Sequence, residues 1–183
     1  MYKQLTTQTI QELQKVILNI DSTEVEQLIQ EILTVDKVFF IAVGRVFLSL
    51  NCFIKYLGHL GINCQIVGSV TEKPIGPNDL LLIASGSGES KLPVTIAQIA
   101  KTKNARIGLI TASKDSTLLR LSNFSVYLDC PTKVNLTNNK SAQSMTFLFD
   151  QSLHLFGDIV GRLIQEKLNL TEKELWNRHA NLE

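Results

Sequence analysis

A short, fully apolar run that leads directly into a loop of glycines and serines places the strongest constraint on the fold of this chain. Leu80 to Ala84 is too short for a helix of its own and predicts a strand covered on both faces. Apolar residues at helical spacing resume from Lys91 to Ala100. The segment between them is therefore predicted to join the end of a strand to the start of a helix, a connection typical of α/β proteins.

The connecting loop has a composition suited to binding an anion. The first backbone N–H groups of a helix lack partners and the helix dipole is positive there, so a negative charge is favoured. The glycines allow a close approach of the backbone and the serines offer hydroxyl groups; these residues are Ser85, Gly86, Ser87, Gly88 and Ser90. Neither Gly-x-x-x-x-Gly-Lys-Ser/Thr nor Gly-x-Gly-x-x-Gly is present in this loop, so the loop favours a small phosphorylated metabolite over a nucleotide. Ordinary turn and capping chemistry is the alternative.

Strand-like and helix-like runs alternate along most of the chain, which predicts a parallel sheet with helices on both faces. Two amphipathic helices are predicted first, at 6–20 and 21–33. Strands are then predicted at 37–43, 63–67, 80–84, 106–111 and 124–128, and helices at 46–60, 92–103, 116–121, 144–168 and 172–177. We expect a single domain over 1–183, with a helical segment at 1–34, an alternating core at 35–130 and carboxyl-terminal helices and tail at 143–183.

The predicted helix at 144–168 is apolar on more than one face, which favours burial between subunits and therefore a homo-oligomer. The polar segment before it, 131–141, is predicted to be a loop over the carboxyl edge of the sheet.

The composition argues against several classes of partner. Lys and Arg number 18 against 17 Asp and Glu, so the overall charge favours neither nucleic acid nor an anionic membrane. No run approaches a membrane span and the first twenty residues do not resemble a secretory signal, so we expect a cytoplasmic protein. The cysteines, Cys52, Cys64 and Cys130, lack Cys-x-x-Cys spacing and are expected to be buried thiols, with no metal site.

Several motifs together resemble the sugar-isomerase (SIS) domain family and, within it, the 6-phospho-3-hexuloisomerase branch. They are the serine loop, the Gly44-Arg45 turn after the first strand, the segments Leu57-Gly-His-Leu-Gly61 and Pro74-Ile-Gly-Pro-Asn-Asp-Leu80, and the ending His179-Ala-Asn-Leu-Glu183. The resemblance implies a flavodoxin-like three-layer αβα sandwich with a five-stranded parallel sheet, assembled as a tetramer. It also implies interconversion of 3-hexulose 6-phosphate and fructose 6-phosphate in the ribulose monophosphate route, with no cofactor.

The resemblance further implies roles for individual residues. The family pattern Met-Gly-Ser/Thr-Leu-Phe-Glu, whose glutamate is the base, corresponds here to Met145-Thr-Phe-Leu-Phe-Asp150, so Asp150 would be the base. His179 would be an acid/base or substrate ligand, from its own or a neighbouring subunit. Gly44, Arg45 and the serine loop would bind the phosphate and Gln143 a sugar hydroxyl. Val46 stands where the family has a serine.

From the residues alone, Arg45 could reach either a phosphate or a carboxylate of its own fold. Glu89, at a predicted helix start, is expected to serve in capping. Because Asp150 and Val46 differ from the family pattern, two functions stay open. The chain is either an isomerase, of this or another sugar phosphate, or a protein that binds the sugar phosphate without isomerising it. A purely structural αβα module is a third alternative.

Overall fold

The computed structural model describes residues 1–133 and 141–182, and these form a five-stranded sheet flanked by helices. All strand pairs are parallel and the strand order is β2-β1-β3-β4-β5. The strands are β1 (Val38–Ile41), β2 (Cys64–Ile66), β3 (Leu80–Ala84), β4 (Arg106–Thr111) and β5 (Phe124–Tyr127). The three-layer fold class predicted from the sequence is therefore confirmed.

The helices alternate with the strands after an amino-terminal pair. They are α1 (Tyr2–Leu18), α2 (Ser22–Thr34), α3 (Arg45–His59), α4 (Lys91–Thr102), α5 (Thr117–Leu121), α6 (Phe147–Lys167) and α7 (Glu172–Asn177). Alternate residues of β1 enter different cores, as the two-residue period of a strand requires. Phe40 packs with residues of α1, α2, α3 and α6, whereas Phe39 packs with residues of α4 and α5. The sheet is thus covered on both faces.

Helix α6 is buried mainly by its own chain. It packs against α3 on one side and against α1 and α2 on another, which accounts for much of the apolar character seen in its sequence. The helix begins at Phe147, three residues later than predicted, because Met145 has a left-handed backbone with φ of 54°. Leu155, Ile159 and Leu163 remain exposed on α6.

Over the described ranges, the structure contains no helix with the length and apolar character that crossing a membrane requires.

Candidate functional site

The candidate site lies at the carboxyl ends of β1 and β3, where three helices begin. A pocket of about 150 Å³ opens there, lined by Val43, Val46, Ala84, Ser85, Gly86, Ser87, Ser90, Lys133, Thr146 and Phe149. Val46 belongs to the first turn of α3, Ser90 is the N-cap of α4 and Thr146 is the N-cap of α6. Because unpaired N–H groups and the positive ends of the helix dipoles meet at such positions, the pocket is suited to an anion.

The serine loop presents hydroxyl groups to this pocket. The buried Ser85 Oγ accepts a hydrogen bond from the Gly88 N–H at 3.2 Å, and Ser87 Oγ accepts one from the Glu89 N–H at 3.4 Å. A hydroxyl oxygen that accepts can still donate its own hydrogen. Ser90 caps α4 without a side-chain capping bond. The structure therefore brings the predicted serines together around the pocket.

The loop is held in place from the side of α5. Gly88 has φ of 66°, and a Cβ built on it would lie 2.1 Å from Ser116 Oγ. Thr111 Oγ1 donates to the Ser85 carbonyl at 2.8 Å. Glu89 Oε1 accepts from the Thr117 N–H at 2.7 Å, so Glu89 caps α5, the neighbouring helix, and not its own helix α4.

The carboxylate of Asp150 lies in the first turn of α6 and is almost entirely buried. Its Oδ2 is 3.0 Å from Arg45 Nε, and the side chains are 3% and 50% exposed, respectively. Among the described residues, no donor reaches its other oxygen, Oδ1. Burial raises the pKa of Asp150 above its ordinary value, and the positive charge of Arg45 opposes that rise. Asp150 is thus a poorly solvated carboxylate with one oxygen available; it follows Phe149 in the sequence but is not itself among the residues that line the pocket.

Arg45 binds a carboxylate of its own fold in this structure, which was one of its two predicted roles. Its guanidinium carbon also lies 4.1 Å from the centroid of the Phe147 ring, a cation–π distance. Gly44, before it, has φ of 61° and ψ of −141°, a conformation that favours glycine. Val46 lines the pocket with an apolar side chain, at the position where the family pattern has a serine hydroxyl.

Sequence reasoning missed the two other polar residues that line the pocket, Lys133 and Thr146, as well as the apolar Val43, Ala84 and Phe149. Lys133 follows β5 in the polar segment that was predicted to cover the carboxyl edge of the sheet. That predicted position could have indicated that Lys133 lies near the pocket. Thr146 lies immediately before α6. An ammonium group on the pocket wall adds to its suitability for an anion.

The structure places His179 at the other end of α3, away from Asp150 within the same chain. Its ring centroid is 5.2 Å from that of His59 and 5.1 Å from that of Trp176. Arg178 Nη1 donates to the His59 carbonyl at 3.2 Å and so joins the tail to the end of α3. Helix α3 has 15 residues, so its two ends lie about 20 Å apart.

Gln143 lies in a cluster organised by Glu12 of α1. Glu12 accepts hydrogen bonds from Ser141 Oγ and the Ala142 N–H, both at 2.7 Å, and from Gln143 Nε2 at 3.3 Å. Burial is the largest single influence on the pKa of the Glu12 carboxyl and raises it, but the three hydrogen bonds together outweigh burial and lower that pKa below its ordinary value. Gln143 was predicted to contact a sugar hydroxyl. In this structure its side-chain amide donates to the Glu12 carboxylate.

The described residues contain no group of three or more His, Cys, Asp or Glu side chains placed to hold a metal ion. The three cysteines are free thiols, but the prediction that they are buried is wrong for Cys52, which lies exposed on α3. Cys130 is buried and Cys64 is half-buried, and burial raises the pKa of each to about 12.

Comparison with known proteins agrees with this geometry. The sequence profile of the SIS domain matches residues 31–155, which include both the serine loop and Asp150. The chain belongs to the SIS domain family.

Relatives in the SIS family match nearly the whole chain. A 3-hexulose-6-phosphate isomerase of Bacillus subtilis is 32% identical over 165 residues, covering 90% of this chain and 89% of the relative. A 3-hexulose-6-phosphate isomerase of Mycobacterium gastri is 34% identical over 164 residues, covering 90% and 82%.

Solved SIS structures superpose on this chain as well. A hypothetical protein of Methanococcus jannaschii, for which a 3-hexulose-6-phosphate isomerase function was inferred from its crystal structure, is 30% identical. The superposition has a TM-score of 0.81 and covers 97% of this chain and 96% of that protein.

Proposed function

We propose that this chain is a phosphosugar isomerase that interconverts 3-hexulose 6-phosphate and fructose 6-phosphate. The observation that carries the proposal is the buried carboxylate of Asp150, the next residue in the sequence after Phe149, which lines the serine-loop pocket. The names of relatives at 32% and 34% identity over 90% of the chain support this substrate.

The pocket would bind the phosphate group and thereby fix the position of the reacting carbons. Ser85, Ser87 and Ser90 would donate hydroxyl hydrogens, and the Lys133 ammonium would supply a positive charge. Gly44 and Gly88 allow the backbone to take up the turns that bring these groups together. Holding the substrate in one orientation converts the proton transfer into an effectively intramolecular step.

Asp150 would act as the base that moves a proton between carbons. In 3-hexulose 6-phosphate the carbonyl is at C3, and removal of the proton on C2 gives an enediolate across C2 and C3. Return of that proton to C3, with loss of the O2 proton and protonation of O3, gives the C2 ketone without a net change in atoms or electrons. A carboxylate whose pKa is raised by burial is a stronger base than an exposed one.

The transfer of a proton from O2 to O3 requires a second acid/base group, and we assign it to His179 of a neighbouring subunit. Within one chain, His179 lies at the end of α3 opposite to Arg45. This assignment requires a homo-oligomer, and the family resemblance favours a tetramer. We place the enzyme in the cytoplasm, in the ribulose monophosphate route, with no cofactor.

A second candidate function is binding of a sugar phosphate without catalysis. The ion pair between Arg45 and Asp150 favours it, because a paired carboxylate is a weaker base than a free one. The apolar side chain of Val46 also reduces the number of phosphate ligands.

A coupled assay of fructose 6-phosphate formation distinguishes the two functions. The proposal predicts turnover in the wild type, and a loss of at least about a hundredfold in Asp150→Asn. Asp36→Asn is the matched control, because Asp36 is exposed and precedes β1 at the opposite edge of the sheet. A wild type that binds fructose 6-phosphate in calorimetry but shows no turnover would establish the binding role, and equal turnover in Asp150→Asn would exclude Asp150 as the base.

A further inference from the structure

The chain that follows β5 runs along the amino-terminal part of α6. Cys130 packs in the same core as residues of α6, and its Sγ lies 3.9 Å from Ser152 Oγ. Three residues later, Lys133 lines the serine-loop pocket together with Phe149. The chain between Cys130 and Lys133 therefore passes the turn of α6 that carries Asp150.

Thr132 lies in this passage and carries a buried hydroxyl group. The residue is 3% exposed, and within the described ranges no hydrogen-bond partner reaches its Oγ1. Val126, Leu128 and Cys130 alternate with more exposed neighbours and belong to the core that contains α6. Thr132 continues this two-residue period, so its hydroxyl lies on the side of the sheet that α6 covers.

Asp150 presents a second unpaired oxygen to the same region. The residue is 2% exposed, and its Oδ1 receives no hydrogen bond from the described part of the chain. Buried polar atoms without partners are rare in folded proteins, because each one has lost its hydration without replacement. Two of them on adjoining segments indicate a site that a polar group of a ligand completes.

Both residues lie directly behind the wall of the serine-loop pocket. Thr132 precedes Lys133 and Asp150 follows Phe149, and consecutive Cα atoms are about 3.8 Å apart. Lys133 is exposed, so its side chain can change rotamer rapidly. The carbon chain of a ligand whose phosphate occupies the pocket can therefore reach the two unpaired oxygens.

We propose that the Thr132 hydroxyl donates a hydrogen bond to an oxygen of the reacting C2–C3 unit of the sugar phosphate, beside Asp150. The inference rests on the proposed function and adds a residue that contacts the sugar and not the phosphate. The substrate oxygen gains negative charge when Asp150 removes the proton from carbon. Thr132 keeps its own hydrogen and stabilises that charge, so it is a catalytic residue.

Thr132→Val and Thr132→Ser test the role of the hydroxyl, since valine keeps the shape of the side chain and serine keeps the hydroxyl. Thr132→Val should lower kcat for fructose 6-phosphate formation by at least about tenfold, whereas Thr132→Ser should retain most of it. Thr95→Val is the control, because it removes an exposed hydroxyl on α4 that donates to the Lys91 carbonyl. Wild-type kcat in Thr132→Val would overturn the proposal.

Thermal unfolding without ligand separates this role from a structural one. Removal of a buried hydroxyl that has no partner should leave the Tm of Thr132→Val equal to that of the wild type or raise it. A lower Tm than that of the wild type would show that the hydroxyl serves the fold, and the proposal would be wrong.

Calorimetry tests the sugar contact separately from turnover. Thr132→Val should bind fructose 6-phosphate about fivefold more weakly than Thr132→Ser, the loss expected for one neutral hydrogen bond, and should bind inorganic phosphate as tightly. In a wild type without turnover, that difference would support the sugar contact although the proposed isomerase had failed. Equal affinity of the two variants for fructose 6-phosphate would assign the hydroxyl to a water molecule alone and overturn the proposal.

Discussion

Arg45 Nε and Asp150 Oδ2 are 3.0 Å apart and join the first turn of α3 to the first turn of α6. The Phe147 ring lies under the guanidinium group at 4.1 Å, so Arg45 is held between an aromatic face and a carboxylate. The arrangement links two residues that differ from the family pattern, Phe147 and Asp150. Aspartate is one methylene shorter than glutamate, and the ion pair fixes the position of the shorter side chain.

Replacing Phe147 should disturb Asp150 through Arg45. We expect Phe147→Ser to lower kcat about two- to fivefold, the range of an exposed cation–π contact, with little change in KM. Phe147→Tyr keeps the aromatic face and should keep the wild-type kcat. Steady-state kinetics of the two variants provides the test, and equal kcat values in both would show that the ring does not position Arg45.

The raised pKa of Asp150 predicts how activity depends on pH. The ionised carboxylate is the active form, so kcat/KM should fall on acidification with a midpoint above the ordinary value of an aspartate. Measurement of kcat/KM against pH in the wild type tests this. A midpoint at or below that ordinary value would contradict it.

The raised pKa of Asp150 also makes the stability of the fold depend on pH. Whereas activity should increase as Asp150 ionises, stability should decrease. Between the unfolded and the folded pKa the native Asp150 binds more protons than the unfolded one, so its contribution to stability is lost as the pH rises through that window. Asp150→Asn should therefore unfold at a higher temperature than the wild type at neutral pH, despite being inactive. Asp36→Asn, whose side chain is exposed, serves as the control and should unfold at the wild-type temperature.

Val46→Ser should strengthen binding of the phosphate group. The change places a hydroxyl on the pocket wall in the first turn of α3, and a hydrogen bond to a charged group contributes about 1.5 kcal/mol or more. We expect about a tenfold lower Kd for fructose 6-phosphate in calorimetry. Val46→Thr restores the hydroxyl with a branched side chain and should give a similar gain. If neither variant binds more tightly, this wall of the pocket does not contact the phosphate.

Gly88→Ala should lower the free energy of unfolding for two reasons. Alanine is strained in the left-handed backbone conformation of this position, and its Cβ would also clash with a neighbouring side chain. Its Cβ would meet Ser116 Oγ at 2.1 Å, whereas Gly68 has φ of 85° and no atom within 4 Å of a built Cβ. Gly68→Ala is thus the matched control, and we expect Gly88→Ala to cost at least about 1 kcal/mol more in urea unfolding. The Ser116→Gly change should recover part of that difference in the double variant. Equal costs at Gly68 and Gly88 would remove the steric argument.

Features formed by residues close together in the sequence were predicted well, whereas features formed by residues far apart in the sequence were not. The bounds of β3 and β4 were predicted correctly because burial on both faces leaves continuous apolar runs. The serine loop was predicted because strand end, glycines and hydroxyls are consecutive. The partner of Arg45 stayed open and Lys133 was missed, since both depend on how distant segments meet at the edge of the sheet. The late start of α6 depends on the left-handed conformation of Met145, which its residue type does not favour.

The contacts of Glu12 have a consequence for the order in which the protein folds. Glu12, near the amino terminus, accepts from Ser141, Ala142 and Gln143, which immediately precede the segment that leads to Asp150. During synthesis, α1 leaves the ribosome long before its partners exist, and loop closure over such a sequence separation is slow. The sheet and the serine loop can therefore form before these contacts are made, and the segment that leads to Asp150 joins α1 only after most of the chain has been synthesised.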